Sequence, residues 1–355
     1  MPQLSGRNSI IGLSKGAAWG TPIALAALDG ILPFGIDRIA LDGETVPDDS
    51  IGNWVEMQEV DLIRHISNPQ ITLPLRREGM LWRFVSHLIG DDTITGPVGN
   101  VYQHTMNWLD ESTLFSCMGL EINETASPGH IVEWASLKTV GVVFEPDGEG
   151  FWQMVVSTIG DTINIGSDAT NTDTEFDLIT YATKTKRIGF RETAFRINAQ
   201  AGAALASGDI VKCSNIAVNL IRPYPADGEL VTRGASTGAE LTTDEPIREG
   251  YATGMVLSFT DPDYTTEALL DEFHDEAEQK ADITITKTIG SDAHVLLMQM
   301  PRLHPISPEV AIERGSRIPM TRNFMMKDAT AAPTGMSVHT IFHLILDDLQ
   351  TVTYE

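Results

Sequence analysis

The stretch TVGVVFEPDGEGFWQMVVSTI, residues 139–159, decides how the chain is read. Its two flanks, Thr139–Phe144 and Trp152–Ile159, are rich in Val, Ile, Thr and aromatic residues, the types that fit a pleated, half-buried surface. Between them, Glu145-Pro-Asp-Gly-Glu-Gly150 carries an Asp-Gly pair, a strong signal for a tight reversal. Two such flanks joined by such a turn predict an antiparallel hairpin. The same composition, bounded by Gly, Pro, Asp and Asn, recurs at Ile71–Leu75, Ile216–Ile221 and Val338–Leu346, which predicts strands there. Two segments carry helical periodicity instead. One is Glu78–Ile89 (EGMLWRFVSHLI). The other is Thr265–Lys280 (TTEALLDEFHDEAEQK), with Asp263 or Thr265 as N-cap and Leu269, Leu270 and Phe273 as its apolar face. Many short strands with one helix per half predict a mainly β fold, an α+β or β-rich sandwich, and argue against βαβ alternation.

The order of these signals repeats. Asp42-Gly-Glu-Thr-Val46 matches Asp227-Gly-Glu-Leu-Val231 at an offset of 185, and Ile71–Leu75 falls on Met255–Phe259 at 184. The helices correspond near 187, and Gly150–Asp161 falls on Met336–Asp347 at 186. Four matches in one order predict a tandem duplication. The expected division is residues 1–188 and 189–355, each a β-sandwich with one flanking helix, with the boundary between 183 and 195.

Charge narrows the function. Lys plus Arg number 24 and Asp plus Glu 49, a net charge of −25. Residues 1–190 hold 11 basic and 25 acidic residues, and residues 191–355 hold 13 and 24, so the acidity is no tail. A surface of this sign does not grip phosphate backbones, which takes clustered Lys and Arg that release counterions. It either keeps the protein soluble or lets it meet nucleic acid without sticking. With 42% hydrophobic residues a packed core is within reach. No run of about 20 apolar residues predicts a membrane-spanning helix. The opening MPQLSGRNSIIGLSKG does not read as a secretory leader, so folding in a cytoplasm is expected. Cys117 and Cys213 read as reduced thiols.

Candidate chemistry is sparse. Gly12-Leu-Ser14-Lys-Gly16 fits the G-x-S-x-G nucleophile pattern, but Gly20 and Pro22 break the helix that must follow. Asp261 to Glu272 has the length of a calcium loop, yet Thr266 stands where the turn needs Gly. His339, His343 and Asp347 share one face of a strand but are spread too far along it to meet at one ion. No phosphate-cradling loop is present. The expectation is a protein without catalytic residues, cofactor or metal.

Gly12-Leu-Ser-Lys-Gly-Ala-Ala-Trp19-Gly20-Thr21-Pro22 resembles the opening of the tail tube proteins of long-tailed phages, in which G-x-x-x-x-W/Y-G-T recurs. Met300-Pro301-Arg302, then Ile318–Met326 (IPMTRNFMM), Gly335-Met336 and a final strand are similar to that family's closing strands. The resemblance implies β-sandwich domains, each flanked by a helix, whose sheets join those of neighbours into a barrel around a DNA channel. Two-domain members form trimeric rings and one-domain members hexameric ones. It further implies a homotrimer stacked into a tube, other tail proteins at the tube ends, DNA passing without specific binding, and a place in the virion tail after assembly in the host cytoplasm. Two long polar loops are then expected to touch the next ring. Asp42–Trp54 contributes Asp42, Gly43, Glu44, Pro47, Asp48 and Asp49, and Asp227–Glu245 contributes Asp227, Gly228 and Glu229. An acidic channel lining is expected, with Glu145, Asp161, Asp328 and Asp347 as leading candidates and Glu133, Lys138 and Asp348 beside them. The alternatives are a baseplate or capsid component, or a receptor-binding β-sandwich adhesin, with a β-rich glycan hydrolase third.

Overall fold

The hairpin around Asp147-Gly148 is present. The Asp147 carboxylate accepts the N–H groups of Glu149 and Phe151, each at 2.9 Å, and Gly150 takes the left-handed conformation at φ +84°. A side chain that binds the backbone two residues on closes such a turn locally. The strands it joins are part of a computed structural model. This describes residues 9–33, 35–36, 42–47, 60–66, 68–122, 130–161, 163–181, 187–224, 245–248, 254–261, 268–289, 292–310 and 318–355.

In chain order the elements begin with β1 (Ile10–Lys15), β2 (Gly35–Ile36), β3 (Asp42–Pro47), β4 (Val60–Ile66), β5 (Gln70–Pro74) and helix α1 (Trp82–Ile89). The hairpin β6 (Thr93–Val98) and β7 (Val101–Asn107) follows, then β8 (Ser116–Ile122), β9 (His130–Pro146), β10 (Trp152–Gly160), β11 (Ile163–Ile165) and the short helix α2 (Asp173–Leu178). The rest comprises β12 (Thr193–Ala199), β13 (Asn215–Ile221), β14 (Val256–Asp261), α3 (Ala268–His274), β15 (Gln279–Ile289), β16 (Asp292–Val310), β17 (Met320–Met326) and β18 (His343–Asp348). The fold is mainly β, dominated by one large antiparallel sheet. β3 and β4 form a separate two-stranded sheet.

Two long strands organise the large sheet. β9 is flanked by β8 and β11 along its first part and by β10 and β13 along its second. β16 has β15 on one edge up to Leu303, and β18 then β17 on the other. Each strand carries a bulge, which bends and twists it locally. One strand can thereby serve two sets of neighbours.

The two sets share one order, β1–β8–β9–β10–β5 and β12–β15–β16–β17–β14. They also share a register. Gly141 faces Ser157 and, past the bulge, Thr139, Lys138 and Leu137 face Thr158, Ile159 and Gly160. Exactly the same steps occur 166 residues on, where Ser307 faces Asn323, then Pro305, His304 and Leu303 face Phe324, Met325 and Met326. A second irregularity also coincides. Ser116 faces Leu137 and Met118 faces Trp134, as Gln279 faces Leu303 and Ala281 faces Met300. The β6–β7 hairpin between α1 and β8 has no counterpart after α3, where Asp275–Glu278 leads straight into β15.

The core runs through both sets. Trp82, Phe84, Val142, Phe144, Trp152, Ile283, Leu296 and Phe324 belong to one buried cluster. Helix α1 is buried along its whole length, with Trp82 stacked on Phe144 of β9 at 6.3 Å between ring centres. Burying a large aromatic is worth about 1.5–3 kcal/mol.

Several expectations need correction. The helix predicted over Glu78–Ile89 starts at Trp82 because Gly79 takes φ +114°, outside the helical region. The helix predicted to reach Lys280 ends at His274, since Gln279 and Lys280 begin β15, and Phe273 of its expected apolar face is 37% exposed. Its proposed caps, Asp263 and Thr265, lie outside the described residues. Only His343 onward of Val338–Leu346 is a strand, so His339 shares no strand face with His343. In register β10 matches β17, not Met336–Asp347. Ile71 matches Phe259, since each faces the equivalent residue of the next strand, Val156 or Arg322. Asp42–Pro47, expected as a loop, is strand β3.

Candidate functional site: the joint between the two strand sets

β13 lies beside β9 in antiparallel register, from Val218 opposite Phe144 to Ile221 opposite Gly141. It thus carries the second set onto the first. The next residue, Arg222, is fully buried with no carboxylate among its hydrogen-bond partners. Its Nε donates to the Leu88 carbonyl at 2.8 Å, Nη2 to Ile89 at 3.1 Å and Leu109 at 2.9 Å, and Nη1 to Asp110 at 2.8 Å. Leu88 and Ile89 end α1, so two of these carbonyls are ones a helix leaves without partners. They also sit at the negative end of the helix dipole, which favours a cation. The guanidinium lies 4.6 Å from the Trp108 ring centre. One side chain therefore ties the end of β13 to α1 and to the loop after β7.

A second tie runs through β18, which pairs with β7 from His343 opposite Asn107 to Asp348 opposite Tyr102. Beside it His104 is wholly buried between two carboxylates, Nδ1 at 3.0 Å from Asp92 and Nε2 at 3.2 Å from Asp348. The ring also lies 4.7 Å from that of Tyr354, whose N–H donates to Asp92 at 2.7 Å and whose hydroxyl donates to Asp348. Burial alone pushes the histidine pKa down. The hydrogen bonds and charges of Asp348 and Asp92 outweigh it and raise the value to about 10. A charged imidazole between two carboxylates compensates their desolvation, which an unpaired buried charge could not.

The predicted site residues separate on burial. Asp42, Gly43, Glu44 and Pro47 lie on β3, paired with β4. Asp48, Asp49, Asp227, Gly228 and Glu229 lie outside the described residues. Asp328 is exposed, and Glu145 and Asp347 are half-buried, accepting from Gln153 at 3.0 Å and Gln103 at 3.1 Å. Asp161 is 1% exposed, so it cannot face a water-filled channel. Glu133, Lys138 and Asp348 are likewise buried. Glu133 accepts from Asn164, from the N–H of Thr170 and from both the N–H and side chain of Asn171. Lys138 bonds Glu245 at 2.5 Å. These groups order the interior.

Ser14 sits inside β1 and donates to the Cys117 carbonyl at 3.5 Å, with no base beside it among its hydrogen bonds. Cys117 and Cys213 are free, and burial pushes each thiol up to about 11, far from a reactive thiolate. Among the described residues no group of three or more His, Cys, Asp or Glu could hold a metal ion, and no helix is long and apolar enough to cross a membrane. Arg222 and His104, with their partners, join strand to strand. Sequence reasoning missed Arg222 and His104 because each is an isolated polar residue whose partners are distant in the chain. Compared with known protein families the chain matches no family model, and a comparison with curated proteins likewise finds no match.

Proposed function

We propose that this chain is a structural subunit that assembles with copies of itself into rings, stacked as the tail tube of a phage. The observation that carries the reading is the repeated register, in which each pair from Gly141–Ser157 to Leu137–Gly160 recurs 166 residues on with its bulge. Such agreement in order, bulge and offset supports a tandem duplication in which one β unit, with its helix, occurs twice. Two similar units joined edge to edge through β13 and β9 already form a third of a six-position ring. Three chains close it, and closed cyclic symmetry removes the free sheet edges that otherwise invite aggregation. The resemblance at Gly12–Pro22 and at Ile318–Met326 names the kind of ring. The net charge of −25 suits a conduit that passes DNA without holding it. Electron microscopy of the purified protein tests this. Rings or stacked tubes are expected, with a ring mass of three chains. Six chains per ring would overturn the trimer alone, and dispersed single chains at high concentration would overturn the assembly.

A further inference from the structure

The chain has 49 acidic residues to 24 basic ones, yet one place on it reverses the balance. A cleft of about 500 Å³ opens beside the turn between β9 and β10, lined in part by Glu149, Phe151, Arg187, Arg191, Glu192 and Lys287. The Arg187 guanidinium lies 4.4 Å from the centre of the Phe151 ring, bonds Asp147 and stands 3.5 Å from Glu149. Lys287 bonds Glu192 at 2.8 Å, and the buried Arg77 lies 3.5 Å from the same carboxylate. Arg76 is paired with Arg187 through the backbone. Among the described residues, the cations Arg76, Arg77, Arg187, Arg191 and Lys287 thus outnumber the acids Asp147, Glu149 and Glu192. All three acids are engaged by Arg187, Lys287 and Arg77. Arg191 is exposed and makes no ion pair among the described residues.

We propose that this cleft is a contact between copies of the chain, in which Arg191 and the cations beside it receive carboxylates from the acidic surface of a second copy. The partner follows from charge. Copies that each carry −25 repel one another, and a patch of the opposite sign is where that repulsion turns into attraction. Acids of the required kind stand on the surface, as Asp271, Asp275 and Glu276 do around the exposed Phe273 at the end of α3. A guanidinium suits the role, because its planar fork takes both oxygens of a carboxylate at once. Phe151, 36% exposed, adds apolar surface that a docked segment would cover. This rests on the ring reading and adds to it one contact that salt weakens. Charges at an exposed contact are screened beyond about 10 Å at 0.1 M salt and beyond about 3 Å at 1 M. Backbone pairing between sheet edges is not.

Two charge reversals test this. Arg191→Glu places an acid at the rim of the cleft, and Lys212→Glu makes the same change in net charge at an exposed position outside it. Sedimentation velocity of the full chain over a range of concentrations, at low salt and at about 1 M, reads the assembly. Urea unfolding reads the fold, and its midpoint should stay unchanged in both variants. At low salt Arg191→Glu is expected to raise the concentration for half-assembly about tenfold, through one attraction lost and one repulsion gained. At about 1 M salt the difference from wild type should largely vanish. Lys212→Glu should assemble like wild type at both. Wild-type assembly of Arg191→Glu at low salt, or an equal shift in Lys212→Glu, would overturn the contact and leave the ring reading standing. Wild-type protein that stays a single chain throughout would overturn both. Short duplex DNA held by the wild type and released by Arg191→Glu would make the cleft a nucleic-acid site and overturn the contact. Should Arg191→Glu unfold the chain, Arg191→Gln decides, with a shift of about threefold expected at low salt and no shift overturning the contact.

Discussion

His104 shows how one side chain converts the acidic composition into structure. Its two ring nitrogens sit between Asp92 and Asp348, with no exposed surface. The folded pKa of about 10 stands above the ordinary 6.5, so the folded state holds the proton more tightly than the unfolded state. The resulting stability is fully present below pH 6.5 and is lost as pH rises from there through 10, at no more than about 1.4 kcal/mol per pH unit. Tyr354, whose pKa burial raises well above the usual tyrosine value, adds a loss of the same sign above pH 10. Urea unfolding at a series of pH values should show stability falling across this window. His104→Gln should remove about 3–5 kcal/mol at neutral pH and flatten the slope between 6.5 and 10. A slope that survives the substitution would assign the pH dependence elsewhere.

At the scale of elements, the joint of β13 on β9 depends on Arg222. Replacing it by Leu deprives the buried carbonyls of Leu88 and Ile89, and the more exposed ones of Leu109 and Asp110, of this donor, an expected cost of about 1–3 kcal/mol. Arg222→Lys should recover part of this, since an ammonium cannot span all four acceptors at once. Unfolding midpoints equal to that of the unaltered chain in both variants would show that the clamp does not matter. The strands on either side of this joint were legible because β5, β9, β10 and β13 are β-branched, apolar and closed by Gly, Pro, Asp or Asn. β17 was harder, for its buried positions include Arg322 between residues that look solvent-facing. The apolar alternation of Val338–Phe342 attracted the strand prediction instead. There the chain runs without ladder pairing, and the Ala329 N–H reaches the His339 carbonyl. Helix α2 carried a readable signal, Thr172 followed by Glu175, which bond each other's ends as a capping box. At six residues it was too short to show periodicity. The matched order of the two strand sets was legible in part, but its offset was not. The inserted β6–β7 hairpin makes the first set longer before β8, so the offset drops from near 186 at the helices to 166 at β9 and β10. A single fixed offset therefore misplaces every later strand.

For the whole molecule, the proposed tube sets a requirement on charge that the residue scale has already narrowed. Asp161, Glu133 and Asp348 are turned inward among partners, so their charges are spent inside the fold. Exposed Asp328 and half-buried Glu145 and Asp347 stay on the surface, within an excess of 49 acidic over 24 basic residues. Duplex DNA carries one charge per about 1.7 Å of axis, and a lining that neutralised it would hold it at physiological salt. A lining of the same sign repels it, most strongly at low ionic strength, where the Debye length is about 30 Å at 0.01 M salt. Assembled particles mixed with short duplex DNA should therefore leave its electrophoretic mobility unchanged at low and at physiological salt. Neutralising Glu145 and Asp347 together to Gln and Asn should not create binding if the acidic excess is spread over many residues. Retention of DNA by the unaltered particles that weakens steeply as salt rises would mean a basic binding surface. It would overturn the acidic lining and count against the conduit.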